Sequence, residues 1–218
     1  MTRGPATYSV GYRARMPFVL RTESNGELTG AGWLNRDAYG PEHDMHPGTR
    51  SFRVLADGDI PLAYVRTERP GSRATGQPVV YRVEDHHGVA LGRITYRRRP
   101  AFRICRARWT VEPVQGPALR GHQGRLAWWA VWWPTGLLLS WICLISTFMT
   151  GDDGGFRPPR RITWRDASRR TRLVFRGMAE NYQVRADDLD PRLITALVAL
   201  HQSFDPPEQA GALGWYET

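Results

Sequence analysis

Side chains that could do chemistry gather at few places in this 218-residue chain. Glu42-His43-Asp44-Met45-His46 crowds donor atoms, and its two histidines could share a metal if the segment were helical. The segment lies in a polar stretch before Pro47-Gly48, however, and a structural metal site brings a fuller ligand set. A solvated loop is the expectation. His86-His87 sits in Asp85-His86-His87-Gly88, where no cysteine, serine or carboxylate partner can be assigned, so solvation at a turn tip is expected. Asp152-Asp153, between glycines, reads as a solvated acidic pair. Cys105 and Cys143 are the only cysteines, and Cys143 lies in an apolar run, which argues against a structural disulfide and fits a reducing, cytoplasmic setting. No Gly-x-Ser-x-Gly elbow, phosphate-binding glycine-rich loop or zinc ligand set occurs. These residues point to a protein that is not an enzyme and uses neither cofactor nor metal.

The basic residues number 30, all arginine, and the formal net charge is +9. A GC-rich genome also favours arginine codons, so the arginine count alone says little about binding. A chain this basic still leans toward acidic surfaces, either nucleic acid or anionic headgroups. The N-terminus, MTRGPATYSVGYRARMPF, lacks an apolar core of signal-peptide length, which places the expected site of action in the cytoplasm.

The elements that must position these residues are mostly strands. Tyr8 to Arg21 alternates loosely around Pro17 and predicts one or two short edge strands. Asn25-Gly26 marks a turn, and Gly30 to Thr49 reads as a long loop of low order. Ser51 to Leu55 and Pro61 to Arg66 flank Asp57-Gly58-Asp59 as a hairpin. Val79 to Glu84 and Val89 to Tyr96 repeat the design around Asp85-His86-His87-Gly88. Ala101 to Val111 predicts a further strand, with Phe102, Ile104, Arg106, Arg108 and Thr110 on one face. Arg161 to Arg165, Arg172 to Arg176 and Ala179 to Arg185 predict a meander of short strands. Asp190 then caps a helix running to Phe204, with Pro191 at its first position. Leu193, Ile194, Leu197, Val198, Leu200 and Phe204 spread over more than half its circumference, so the helix needs cover on most sides. A sheet curled around one helix meets that need. The tail from Asp205 to Thr218 is rich in proline and glycine and is expected to be disordered.

One segment breaks the pattern. Leu126 to Met149, LAWWAVWWPTGLLLSWICLISTFM, runs for about 24 residues without a charge, enough to span a bilayer. Trp128, Trp129, Trp132 and Trp133 fall within an arc of about 140° on a helix, and Trp141 follows. Tryptophan clustered at one end of an apolar run is typical of the headgroup level of a membrane. Arg125 precedes the run, and Arg157, Arg160 and Arg161 follow it, so flanking charge gives little orientation. A single crossing would separate strands of one closed sheet, and Pro134-Thr135-Gly136 offers a break at which the run could re-enter or lie in the interface. Membrane contact without a clean crossing, a transmembrane helix, and burial or a partner interface all stay open, with the first carried forward.

Residues 79–111, with Tyr81, Val83, Asp85, Gly88, Leu91, Gly92, Ile94, Arg108 and Trp109, resemble the repeated unit of the tubby C-terminal-like superfamily, which includes the phospholipid scramblases and the LURP-one-related proteins. That unit is a strand ending in Asp-x-x-Gly, a strand with a Leu-Gly-x-Ile core, and a basic strand holding Trp or Phe. Ser51 to Arg66 is similar to a degenerate earlier copy, and Ile162 to Phe204 to the closing strands and helix. The resemblance implies a single domain over residues 1–204, a barrel of about twelve strands around the C-terminal helix, interrupted by an apolar insertion at 126–150. It also implies a bacterial member of unknown role in a superfamily whose members are linked to membranes and phosphoinositides. A palmitoylated cysteine cluster and an alignable acidic calcium loop are both lacking, so calcium-driven scrambling is not implied.

Function then divides two ways. A lipid-binding reading uses Trp128, Trp129, Trp132, Trp133, Trp141, Arg125, Arg157, Arg160 and Arg161 against anionic lipid at the inner face of the cell membrane, where each arginine contributes on the order of 1 kcal/mol. A soluble nucleic-acid-binding or protein-interaction reading uses Arg97 to Arg108 and Arg157 to Arg176, and needs aromatics among them. Only Tyr96, Phe102, Trp109 and Trp164 offer themselves.

Overall fold

The computed structural model describes residues 6–13, 16–23, 26–36, 49–56, 60–72, 75–97, 107–123, 161–177 and 180–204. Within them twelve antiparallel strands close into a barrel. They are β1 (Thr7–Arg13), β2 (Met16–Thr22), β3 (Leu28–Arg36), β4 (Ser51–Leu55), β5 (Pro61–Arg69), β6 (Val79–Glu84), β7 (Ala90–Arg97), β8 (Arg108–Pro113), β9 (Leu119–Gln123), β10 (Arg161–Arg165), β11 (Thr171–Arg176) and β12 (Asn181–Val184). Each strand pairs with its successor, and β12 pairs with β1, so the sheet has no open edge. The expected helix, α1 (Pro191–Phe204), is present and packs against β1, β2, β5 and β7.

Alternation sorts the strand residues. Along β10 the order is exposed, buried, intermediate, buried, exposed, so Ile162 and Trp164 face the lumen while Arg161 and Arg165 face out. Phe52, Val65, Tyr81, Ile94, Trp109, Phe175 and Tyr182 meet Leu193, Ile194, Leu197 and Leu200 of α1 in one core. The helix also brings polar groups inside: His201, Gln202 and Ser203 are each buried. Gln202 Nε2 donates to Tyr182 Oη at 3.2 Å, and that hydroxyl shares a 2.6 Å hydrogen bond with His201 Nδ1. Ser203 Oγ donates to Leu200 O at 2.7 Å, so each residue has a partner for a donor or ring nitrogen, while Gln202 Oε1 is buried without one.

Asp190 caps α1 as expected. Its Oδ1 accepts the Arg192 backbone N–H at 2.8 Å, and the Arg192 guanidinium closes on its Oδ2 at 2.8 Å. Burial raises the Asp190 carboxyl, but hydrogen bonds from the Arg192 side chain and from the Arg192 and Leu193 amides outweigh it and hold the pKa below the usual value. Replacing Asp190 with alanine is expected to cost about 1 kcal/mol in urea unfolding at neutral pH. A folded-state pKa depressed in this way stabilises above the unfolded carboxylate pKa and stops doing so as pH falls through the folded value. The gap between variant and parent should therefore narrow below about pH 4. A gap of equal size at both pH values would show that the carboxylate is not the stabilising group.

Three expectations need correction. The segment from Gly30 to Thr49 is not a loop throughout, because its first part lies in β3. Gly30 and Gly32 hide the strand signal, and Gly32 is needed in the lumen: a Cβ there would lie 2.8 Å from Val54 Cγ1 and 3.3 Å from Thr195 Cγ2. The strand expected over Ala101 to Val111 is described only from Arg108, and it puts Trp109 and Val111 inside. Phe102, Ile104 and Arg106 lie outside the described residues. Tyr8 to Arg21 supplies two strands that are not edges, since β1 lies between β12 and β2, and β2 between β1 and β3.

Candidate functional site

The two ends of the barrel are built differently. At one end the connections β2–β3, β6–β7 and β10–β11 share a five-residue turn. Glu23 N–H donates to Glu27 O at 2.9 Å, Asp85 N–H to Val89 O at 2.9 Å, and Asp166 N–H to Arg170 O at 3.1 Å. The fourth residue of each takes positive φ: Gly26 at 82°, Gly88 at 78° and Arg169 at 63°. Asp85 Oδ1 accepts the His87 and Val89 amides at 2.9 Å each. Asp166 Oδ1 accepts the Arg170 amide at 2.9 Å, and its Oδ2 takes Arg172 Nε at 2.9 Å. In both aspartates desolvation raises the carboxyl, but these bonds, with the histidine charges at Asp85 and the Arg172 charge at Asp166, hold the pKa below the usual value. His86 and His87 are exposed and their rings lie tilted at 45° with centroids 3.7 Å apart, beside a carboxylate already committed to the backbone. Leu28, Ile60, Val89 and Val114 are exposed at this end.

The opposite end receives the C-terminus of α1. Phe204 meets Tyr96 at 4.9 Å and Trp109 at 6.0 Å between ring centroids, and the Arg50 guanidinium lies 4.7 Å over its ring. Arg50 is itself clamped: its backbone N–H donates to Thr67 Oγ1 at 2.8 Å, and that hydroxyl donates to Arg50 O at 3.0 Å. The connections β3–β4, β7–β8 and β9–β10 all leave and return at this end, because antiparallel order alternates the ends. Gln123 and Ile162 are register partners, so residues 124–160 start and finish side by side.

Of the residues expected to meet lipid, only Arg161 is described, exposed at the start of β10. Trp128, Trp129, Trp132, Trp133, Trp141, Arg125, Arg157 and Arg160 lie outside the described residues, as do the Glu42 to His46 segment, Asp152-Asp153, both cysteines and the tail. What the fold adds is where this segment is anchored, between β9 and β10. Those strands and β11 form a wall that sequence order does not reveal. Arg120 pairs in register with Arg165, and Arg161 with Arg176. All four are exposed, and none has an ion-pair partner among the described residues.

A second feature lies on the outer face of β4, β5 and β6. Arg53, Tyr64, Arg66, Glu84, Asp85, His86 and Gly88 line a cleft of about 330 Å³. Glu84 takes Arg66 in a short ion pair and Arg82 Nε at 2.7 Å, and the two lining arginines, Arg53 and Arg66, are matched by the two carboxylates of Glu84 and Asp85. The cleft holds no nucleophile beside a base. Among the described residues no group of three or more His, Cys, Asp or Glu could hold a metal. No helix among them is long and apolar enough to cross a membrane.

No protein-family model, no curated protein and no solved structure matches the chain significantly. A closed twelve-stranded antiparallel barrel around a C-terminal helix is the class that the structure defines.

Proposed function

We propose that this chain is a non-enzymatic, membrane-associated barrel of the tubby and scramblase-like kind. In this reading it docks on anionic lipid through the apolar segment at 126–149 and the arginines around it. The observation that carries the reading is the anchoring of that segment. Its flanks are register neighbours on β9 and β10, so chain that leaves the barrel must come back to the same side. If the 24-residue run crossed a bilayer once, residues 150–160 would have to return through the hydrocarbon. They contain Asp152, Asp153, Arg157, Arg160 and the pair Pro158-Pro159, and each charge at the bilayer centre costs about 2.5–3.5 kcal/mol. A re-entrant or interfacial segment broken at Pro134 avoids that cost. It also keeps the five tryptophans at headgroup level.

Nucleic acid fits less well. Tyr96, Trp109 and Trp164 point into the core, so the basic strands present no stacking platform among their described outward residues.

Tryptophan fluorescence tests the lipid reading. The chain has nine tryptophans, and five belong to the apolar segment. Trp109 and Trp164 are enclosed in the barrel, out of reach of lipid. Vesicles carrying lipids brominated near the headgroup are expected to quench a large part of the emission. Emission unaffected by bromine at any chain depth would sink the proposal.

A further inference from the structure

The wall formed by β9, β10 and β11 carries a charge arrangement that the fold does not need. Like charges directly opposite across a strand pair repel and destabilise a sheet. Here Arg120 faces Arg165, and Arg161 faces Arg176. His122 and Thr163 lie between these pairs on the outer face, paired with each other in register. No described outward residue of β9, β10 or β11 is a carboxylate. The contrast is with the outer face of β5, β6 and β7, where Glu84 holds Arg66 and Arg82, and Glu68 holds Arg93 at 2.8 Å. On that face Arg66, Arg82 and Arg93 are each held by a carboxylate. On the wall Arg172 is held by Asp166 and Asp188, but the two facing pairs have no carboxylate partner among the described residues.

The two pairs stand at different heights. Arg161 and Arg176 sit at the end where the 124–160 segment leaves, and Arg120 with Arg165 lies about 13 Å further along the strands, at roughly 3.3 Å per residue. A barrel standing upright on a membrane would bring only the first pair to headgroup phosphates. One leaning on this wall would bring both. We propose that the wall is an anionic-phospholipid site, with each cross-strand arginine pair clasping a lipid phosphate, and that the barrel therefore lies tilted onto β9–β11 when bound. This rests on the membrane reading above and adds to it the lipid charge class, new contact residues and an orientation.

The wall side chains are exposed, so glutamine can replace them without touching the core. The test is partitioning of the full chain, Arg161→Gln/Arg176→Gln and Arg120→Gln/Arg165→Gln onto phosphatidylcholine vesicles with and without phosphatidylglycerol. Each double variant is expected to lose about 30-fold in partitioning onto the anionic vesicles. Partitioning onto phosphatidylcholine alone should not change, and arginine-to-lysine versions should keep the anionic preference. Loss confined to Arg161→Gln/Arg176→Gln would overturn the tilt, and loss in neither would overturn the site. If the parent ignores every vesicle, the membrane reading itself fails. Salt-sensitive binding of the parent to duplex DNA, weakened in both variants, would then assign the wall to nucleic acid and overturn the proposal.

Discussion

Trp109→Ala is expected to cost about 3–5 kcal/mol of stability, a large share of the roughly 5–15 kcal/mol that holds a domain folded. Trp109 is 1% exposed. Its ring stacks on Tyr96 at 4.2 Å between centroids and lies 5.5 Å from the His201 ring and 6.0 Å from the Phe204 ring. On the other side its register partner is Gly121, which has no side chain to move into the space. The Trp164 ring already occupies that ground: a Cβ on Gly121 would lie 2.7 Å from it. A void there cannot collapse cheaply, because the surrounding groups are held by strands and by α1. Urea unfolding measures the loss. Trp33→Ala makes the comparison, since Trp33 is only half-buried on the outer face against Phe18, 5.1 Å away. Its loss should be a fraction of that at Trp109. Equal losses would mean that the lumen is not the principal core.

Replacing residues 126–149 with a short glycine-serine linker is expected to leave the barrel folded and to abolish membrane binding. The strands on either side do not need the segment to find each other. Ile162, Thr163, Trp164 and Arg165 of β10 pair with Gln123, His122, Gly121 and Arg120 of β9, and Trp164 fills the lumen beside His201, 6.5 Å between rings. Shortening the connection roughly twofold lowers its closure cost by about 0.6 kcal/mol. The shortened chain should therefore melt at or slightly above the temperature of the parent. Unfolding of this variant would place the apolar run in the core, as a structural segment.

How much of this was legible in the sequence depended on whether the signal was local. Asp190-Pro191 and the wide apolar surface of α1 are local, and they led directly to a helix wrapped by strands. Asp85 and Gly88 punctuate the β6–β7 hairpin for the same reason. Where a lumen position demands glycine, the signal inverts. Gly32 made β3 read as loop, and Gly121 left β9, LRGHQ, with only Leu119 as an apolar mark. His201 and Gln202 look like a solvent face until Tyr182, about twenty residues away, supplies the partner. The arginine wall was not legible at all. Counting arginines along the chain drew attention to residues 97–108, whereas the exposed pairs join β9 to β10 and β10 to β11, and only register sets them opposite each other. The same register turned Tyr96, Trp109 and Trp164 inward and removed the aromatic platform that nucleic-acid binding would need.

Flotation bears most directly on the claim that residues 126–149 attach a self-sufficient barrel to lipid. The full chain and the linker variant, each shown folded by its cooperative melt, would be spun through a density gradient with phosphatidylcholine–phosphatidylglycerol vesicles. The full chain is expected to rise with the vesicles, even as salt is raised from about 50 to about 200 mM, while the linker variant stays at the bottom. Two folded proteins that float equally, or a full chain that stays down with the variant, would contradict it.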